Sequence, residues 1–118
     1  MEQRVARAMQ LRAQGCGCCQ AVVLTFADLL PIDSQSAANL AQPFARGMSG
    51  TKQTCGCVTG MAIVCGLLGQ TMMFKGLANQ FAQEQGELGC PQLLALQGAG
   101  HSCDDLVAAA VRQLAEIL

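Results

Sequence analysis

At 118 residues the chain has the length of one domain, and a formal net charge of −1 with a pI near 5.6 leaves no electrostatic footprint for nucleic acid. Hydrophobic residues make up 52% of it while aromatics are only 3%, with neither Trp nor Tyr, so the core must be built from Leu, Val, Ala, Met and Cys, which favours closely packed helices. One domain spanning 1–118 is the organisation expected, since no repeat, low-complexity tract or linker interrupts it.

From Glu2 to Ala13, Val5, Met9 and Arg12 with Ala6 and Ala13 give a weak helical period that Gly15 and Gly17 end. The next helix, Cys19 to Leu30, carries Val22, Val23, Phe26, Leu29 and Leu30 on its apolar face and stops at Pro31. Asp33 or Ser34 caps a short helix through Leu40, which Pro43 bends or ends. A glycine-bearing loop, Gly47 to Lys52, leads into an apolar helix from about Thr54 to Gly69, and another helix runs from about Lys75 to Gln85 with Leu77, Ala78 and Phe81 inward. Cys90 precedes Pro91, which favours a first helical position, and a brief helix through Leu94 ends near Gly98. The last helix begins at Ser102 with acid in its first turn and continues, rich in Ala and Leu, to the C-terminus. No window alternates apolar and polar β-branched residues, so the expected fold is all-α, a compact bundle of about five to seven helices.

The uncharged run from Gln53 to Phe74 is long enough to cross a bilayer. It contains Gln53, Thr54, Thr59, Gln70, Thr71 and four glycines (Gly56, Gly60, Gly66, Gly69) and has no aromatic belt, so it reads as a buried core helix. The N-terminal residues carry Arg4, Arg7 and Arg12 and no continuous apolar stretch, unlike a secretory signal. Eight cysteines in that setting point to metal or redox chemistry in a reducing compartment, and a cytoplasmic location is expected.

Cys19, Cys55, Cys90 and Cys103 come from four separate parts of the chain, yet each falls at an expected helix N-terminus. Unpaired backbone N–H groups and the positive end of the dipole there lower a thiol's pKa and suit thiolates or an anionic cluster. Gly15, Gly17, Gly56, Gly60 and Gly89 flank the cysteines, and residues without a Cβ let backbone approach a cofactor or another helix closely. Gly56 and Gly60 form a GxxxG face, which equally suits plain helix contact.

These segments resemble a family described as redox-active and named for its C…GCAxxG…C…C cysteine pattern. "CCQAVVLTFADLL" is similar to the family's first cysteine followed by Gln and an apolar helix, which maps that cysteine to Cys19. "AQPFARGMSGTKQTCGCVTG" is similar to the approach to the signature and gives Cys55, Gly56 and Gly60. "LGCPQLLAL" and "HSCDDLVAAAVRQLAEIL" look like the two later single-cysteine segments, giving Cys90 and Cys103. Cys57 stands where the pattern usually has Ala, Cys16 and Cys18 are additional, Cys65 lies within the apolar helix, and the segment before Cys90 is shorter than usual. The resemblance implies redox activity, and related domains in multihaem-type proteins are associated with an iron–sulfur cluster; it implies no substrate.

Three functions compete. In the leading one, Cys19, Cys55, Cys90 and Cys103 ligate an iron–sulfur cluster of the two-iron type in a small electron-transfer protein that meets a redox partner protein, with Gly56 and Gly60 in the binding loop and Cys57, Cys16 and Cys18 as further candidate ligands. In the second, Cys16, Cys18, Cys19, Cys55 and Cys57 capture Cu(I) or Zn(II), with Met61, Met72 or Met73 as thioether donors or, more simply, core filler. In the third, Cys19 or Cys55 attacks and another cysteine resolves a disulfide without a cofactor, although the CxxC and βαβ pattern of thioredoxin-like proteins is missing. An oxidoreductase or an electron carrier fits these readings, as does an oligomer.

Other residues have simpler roles. Cys65 reads as a small buried hydrophobe, and Cys57, about 200° from Cys55 on a regular helix, shares a centre with it only if the helix begins later. His101 is either a ligand, a tuning group or an exposed loop residue; Asp104 and Asp105 favour the helix dipole, and Lys52 and Arg46 flank the signature loop. Hydrolase triads, an HExxH helix, a P-loop and a dinucleotide fingerprint are all missing from the sequence.

Overall fold

The apolar stripes become the inner faces of helices in a computed structural model, which describes residues 2–49, 51, 53–86, 88 and 103–118. The described residues are helical apart from turns and connections, and they form the all-α bundle expected: α1 (Glu2–Ala13), α2 (Cys18–Thr25), α3 (Ser34–Ala41), α4 (Ala45–Met48), α5 (Gly56–Leu67), α6 (Thr71–Gln85) and α7 (Cys103–Ile117), with 3₁₀ turns at Ala27–Leu29 and Gln42–Phe44. The brief helix expected after Cys90 lies outside the described residues.

Helix α2 is the hub, packing against α1, α3, α5 and α7, while α5 also packs on α6 and α7. Its Cys19, Val22, Val23 and Phe26 repeat at helical spacing and are almost wholly buried, with Met61 and Val64 of α5, Phe81 of α6 and Val107, Val111 and Leu114 of α7 in the same core. The inner face of α1 is Val5, Ala8 and Leu11, whereas Ala6 and Ala13 face solvent. Alanine fits either side of a helix, so it carries little periodic information.

Helix α2 ends at Thr25, five residues before the expected stop at Leu30, and Arg4 binds the chain at that end. Its guanidinium donates to the Thr25 carbonyl (2.8 Å) and to both Asp28 carboxylate oxygens (2.5 and 3.0 Å) while lying over the Phe26 ring, 4.9 Å from its centroid. The carbonyl that a continuing helix would offer to Leu29 accepts from Arg4, and the Leu29 N–H donates to the Phe26 carbonyl at 2.9 Å as the chain tightens into a 3₁₀ turn. Asp33 caps α3 as expected, accepting from the Ser36 N–H at 2.6 Å, and Pro43 sits in the 3₁₀ turn that follows.

Helices α1 and α5 stop in the same way. Gly15 (φ 100°) and Gly69 (φ 70°) take the left-handed conformation, and paired bonds close each end, Cys16 N–H to Leu11 and Gly15 N–H to Arg12 in one, Gln70 N–H to Cys65 and Gly69 N–H to Gly66 in the other. The first of these turns aims the chain at the start of α2. Among the described residues no helix is long and apolar enough to cross a membrane, and α5 is a core helix of 12 residues.

Candidate functional site

The loop entering α2 is held on three sides. Arg12 donates to the Cys16 carbonyl (3.2 Å), the Gly17 N–H donates to Gln20 Oε1 (3.1 Å), and Gln20 Nε2 donates to the Ala38 carbonyl of α3 (3.0 Å). Gly17 is the N-cap, so Cys18 and Cys19 are the first two residues of the helix. A helix turns about 100° per residue, and the two thiols therefore meet different neighbours. Cys19 lies on the core stripe, fully enclosed, and accepts a hydrogen bond from Thr59 Oγ1 at 3.8 Å. Cys18 is only partly buried and faces the beginning of α5.

That beginning is Cys55, the N-cap of α5. Its N–H donates to the Leu88 carbonyl at 2.8 Å, and its own carbonyl receives the N–H groups of Val58 (3.0 Å) and Thr59 (3.2 Å). Because Cys55 is extended (φ −55°, ψ 136°), it is outside the helical repeat, and Cys57 comes back to face it. Gly56 and Gly60 make the contact with α2 close. A Cβ on Gly56 would collide with the Cys18 sulfur and stand 3.0 Å from the Phe44 carbonyl oxygen, and one on Gly60 would stand 3.0 Å from Val22 Cβ and 3.3 Å from the Cys19 carbonyl. The GxxxG face thus seats α2, the simpler of its two readings.

The thiols differ sharply in character. Cys57 is fully buried, and its thiol's interactions with Cys18 and then Cys55, followed by burial, push its pKa well up and keep it neutral. Cys55 moves the other way. The Cys57 S–H is the main cause of its lowered pKa, helped by the N–H groups of Cys57 and Val58, although neither amide closes a full cap bond to the sulfur. Cys19 is pushed up to about 12 by burial, with the Thr59 hydroxyl opposing and the charges of Cys18 and Cys55 adding.

Cys103, the first residue of α7, completes the group. Burial raises its pKa, the charges of Cys18 and Cys55 act in the same sense, and the Arg12 guanidinium opposes them. Arg12 also binds Asp104, the next residue, at 2.8 Å. Cys18 and Cys55 thus lie within electrostatic reach of each other, of Cys57 and of Cys103, so four thiols from three segments group around the starts of α2, α5 and α7. The structure draws in Cys18 and Cys57, which sequence reasoning placed among the additional candidates, and sets Cys19 behind them in the core. Helical spacing could have shown this, since Cys19 shares the i, i+3, i+4, i+7 stripe of Val22, Val23 and Phe26 and Cys18 does not. Arg12 carried no signal of its own.

The remaining candidates are dispersed. Cys90, His101 and Lys52 lie outside the described residues, as does the side chain of Arg46. Cys65 is 1% exposed on α5 and only burial shifts its pKa, upward. Met61 is core, whereas Met72 and Met73 are exposed at the start of α6, beyond the far end of α5. Among the described residues no three Cys, His, Asp or Glu side chains converge on a point that could hold a metal ion. The donor chemistry is nevertheless all sulfur, with one thiol already biased towards thiolate, which suits a thiolate-ligated group.

Fold and site together define a cysteine-rich helical bundle with a thiol cluster at convergent helix N-termini. A family model described as "Putative redox-active protein (C_GCAxxG_C_C)" matches residues 16–117, and the chain belongs to that redox-active family. No curated protein and no solved structure matches the chain.

Proposed function

We propose that this redox-active protein works through Cys18, Cys55, Cys57 and Cys103, and that these thiols hold an iron–sulfur cluster of the two-iron type. The gathering of four thiols at three helix starts carries the reading, because a single disulfide needs only two. When bound, such a cluster supplies one-electron transfer. The chain's part is to offer thiolates, with Cys55 already inclined to ionise, and to surround their charge with helix N-termini and the Arg12 cation. Cys90 remains a candidate ligand from the sequence; Cys19 is a poor one because it lies fully enclosed on the core stripe of α2, beside Val22, Val23 and Phe26. A redox partner protein would exchange the electron, in a reducing compartment such as the cytoplasm.

One observation favours a second reading. The contacts between Cys57 and both Cys18 and Cys55 join a neutral thiol to a thiolate-prone one, as reversible disulfide formation requires. Anaerobic purification, a visible spectrum, and assays for iron, acid-labile sulfide, copper and zinc on the same sample separate the cases. Iron and sulfide in matching amounts, with bands that bleach on reduction, support the cluster. Copper or zinc without sulfide indicates soft-metal capture, and metal-free protein with titratable thiols indicates disulfide chemistry. Cofactor retention in a Cys18→Ser variant and its loss in Cys19→Ser would reverse the assignment of the ligand from α2.

A further inference from the structure

Two arginines of helix α1, Arg4 and Arg12, form similar ion pairs, one near each end, and they do different work. Arg4 holds Asp28 at the end where α2 stops, far from any cysteine of the cluster. Arg12 sits at the cysteine end, where its Nε donates to Asp104 Oδ1 at 2.8 Å and its Nη1 donates to the Cys16 carbonyl at 3.2 Å. Its side chain is 26% exposed, so it lies partly under the surface it bridges. The two acceptors belong to segments 88 residues apart. One precedes Cys18 by two residues, and the other follows Cys103 by one. A planar fork can hold two acceptors at once, which an ammonium group on a flexible stem does poorly.

We propose that Arg12 is a positioning residue of the thiol cluster: its guanidinium clamps the Cys16–Cys18 loop to the first turn of α7 and so fixes Cys103 beside Cys18. This inference rests on the proposed cluster as the working site, but not on what the cluster holds. The geometry explains why α7 is tied to α1 at its first turn as well as along its packed face. The cation lies within electrostatic reach of both Cys18 and Cys103, so it also stabilises negative charge there. Without it, the first turn of α7 would lose its own tie to α1 and keep only helix packing and the exposed Arg112–Glu2 pair (3.5 Å) further along α7, and the more negative state of the site would be disfavoured.

The test compares Arg12→Gln, Arg12→Lys and Asp104→Asn with Arg4→Gln, which removes the matching pair at the other end of the same helix. On protein purified anaerobically and kept reduced, alkylation of each cysteine is followed by mass spectrometry, and the midpoint potential of the site is measured in parallel. Compared at equal thiolate fraction, taken from the pH dependence of each rate, all three cluster-end variants should speed Cys103 alkylation relative to Cys65 by roughly fivefold, the factor carried by one partly exposed ion pair. Arg12→Gln should also shift the potential to more negative values, whereas Arg12→Lys, which keeps the charge, should shift it less. Arg4→Gln should change neither readout. Equal alkylation profiles for the Arg12 and Arg4 variants, or Cys103 alkylation unchanged when Arg12 or Asp104 is altered, would overturn the proposal. A metal-free wild-type protein would sink the iron–sulfur reading and leave this comparison intact, so the two failures are distinguishable.

Discussion

Replacing glycines by alanine along α5 tests the seat on which the thiol cluster depends. Ordinarily the change stabilises a helix by about 0.5–1 kcal/mol, through lower unfolded-state entropy and a better helix former. Gly66 on α5 and Gly76 on α6 have open space where a Cβ would go, with nothing within 4 Å, so each should show that gain. Gly60 should not. Its Cβ would lie 3.0 Å from Val22 Cβ, 3.1 Å from Val22 Cγ1 and 3.3 Å from a backbone carbonyl, and the branched valine is already locked in the core. Overpacking of this kind costs about 1–3 kcal/mol, which outweighs the helix gain, so Gly60→Ala should fall below Gly66→Ala by about 1–3 kcal/mol. In a chain of this size that is a gap of roughly 3–5 °C per kcal/mol in Tm. Gly56→Ala should be the worst of the series, since its Cβ meets the Cys18 sulfur and two backbone atoms, and it alone should also change the reactivity of Cys18. Thermal and urea unfolding of the four variants reads the order directly. Gly60→Ala as stable as Gly66→Ala would refute the reasoning, because α5 would then have no close seat on α2.

Other perturbations separate the site from the scaffold. Cys65→Ala should cost about 1–2 kcal/mol by leaving a small cavity yet preserve cofactor content and cluster reactivity, whereas Cys55→Ser should abolish both; metal analysis and thiol mapping of the two variants check this. Arg4→Ala should cost about 1–2 kcal/mol in urea unfolding through loss of a half-exposed ion pair, the Thr25 carbonyl bond and the Phe26 contact, with no effect on thiol reactivity. Stability should also fall in alkali. Cys19 ionises near 9 when unfolded and about 12 when folded, so below about 9 its contribution is fully present, and it is lost as the pH rises towards 12 because the unfolded chain binds fewer protons there. Urea unfolding across that window should show a shallower fall for Cys19→Ala, and an unchanged slope would contradict the buried, neutral Cys19 thiol.

Much of the bundle was legible because its signals are local. Asp33 as a cap, the stop of α1 at its glycines, and the Leu77 and Phe81 face of α6 all follow from spacing and backbone chemistry within a few residues. The early end of α2 was not, since the contact found there, from Arg4 to the Thr25 carbonyl, spans 21 residues of sequence. Helix α6 likewise begins at Thr71, ahead of the expected Lys75, with no side-chain cap to mark it in the sequence.

The site shows the same division more sharply. That cysteines would gather at helix starts could be read from the sequence, because the first turn of a helix is an electrostatic address. Which cysteine of an adjacent pair turns inward depends on the rotation of α2 about its axis, and that rotation is set by where Val22, Val23 and Phe26 find the core. The same stripe that buries Cys19 leaves Cys18 at the α5 interface, and Gly56 makes the room its sulfur occupies. Cys55 and Cys57 face each other because the helix starts between them, at Gly56. Packing in the core thus selects the thiols that can meet, and the Cys57 thiol, helped by the first amides of α5, lowers the pKa of Cys55. A Gly56→Ala substitution should therefore alter Cys18 before it alters the lowered pKa of Cys55, whose causes lie in Cys57 and the α5 amides. Loss of thiolate character at Cys55 alone, with Cys18 unchanged, would show that the close approach of α2 is not what assembles the cluster.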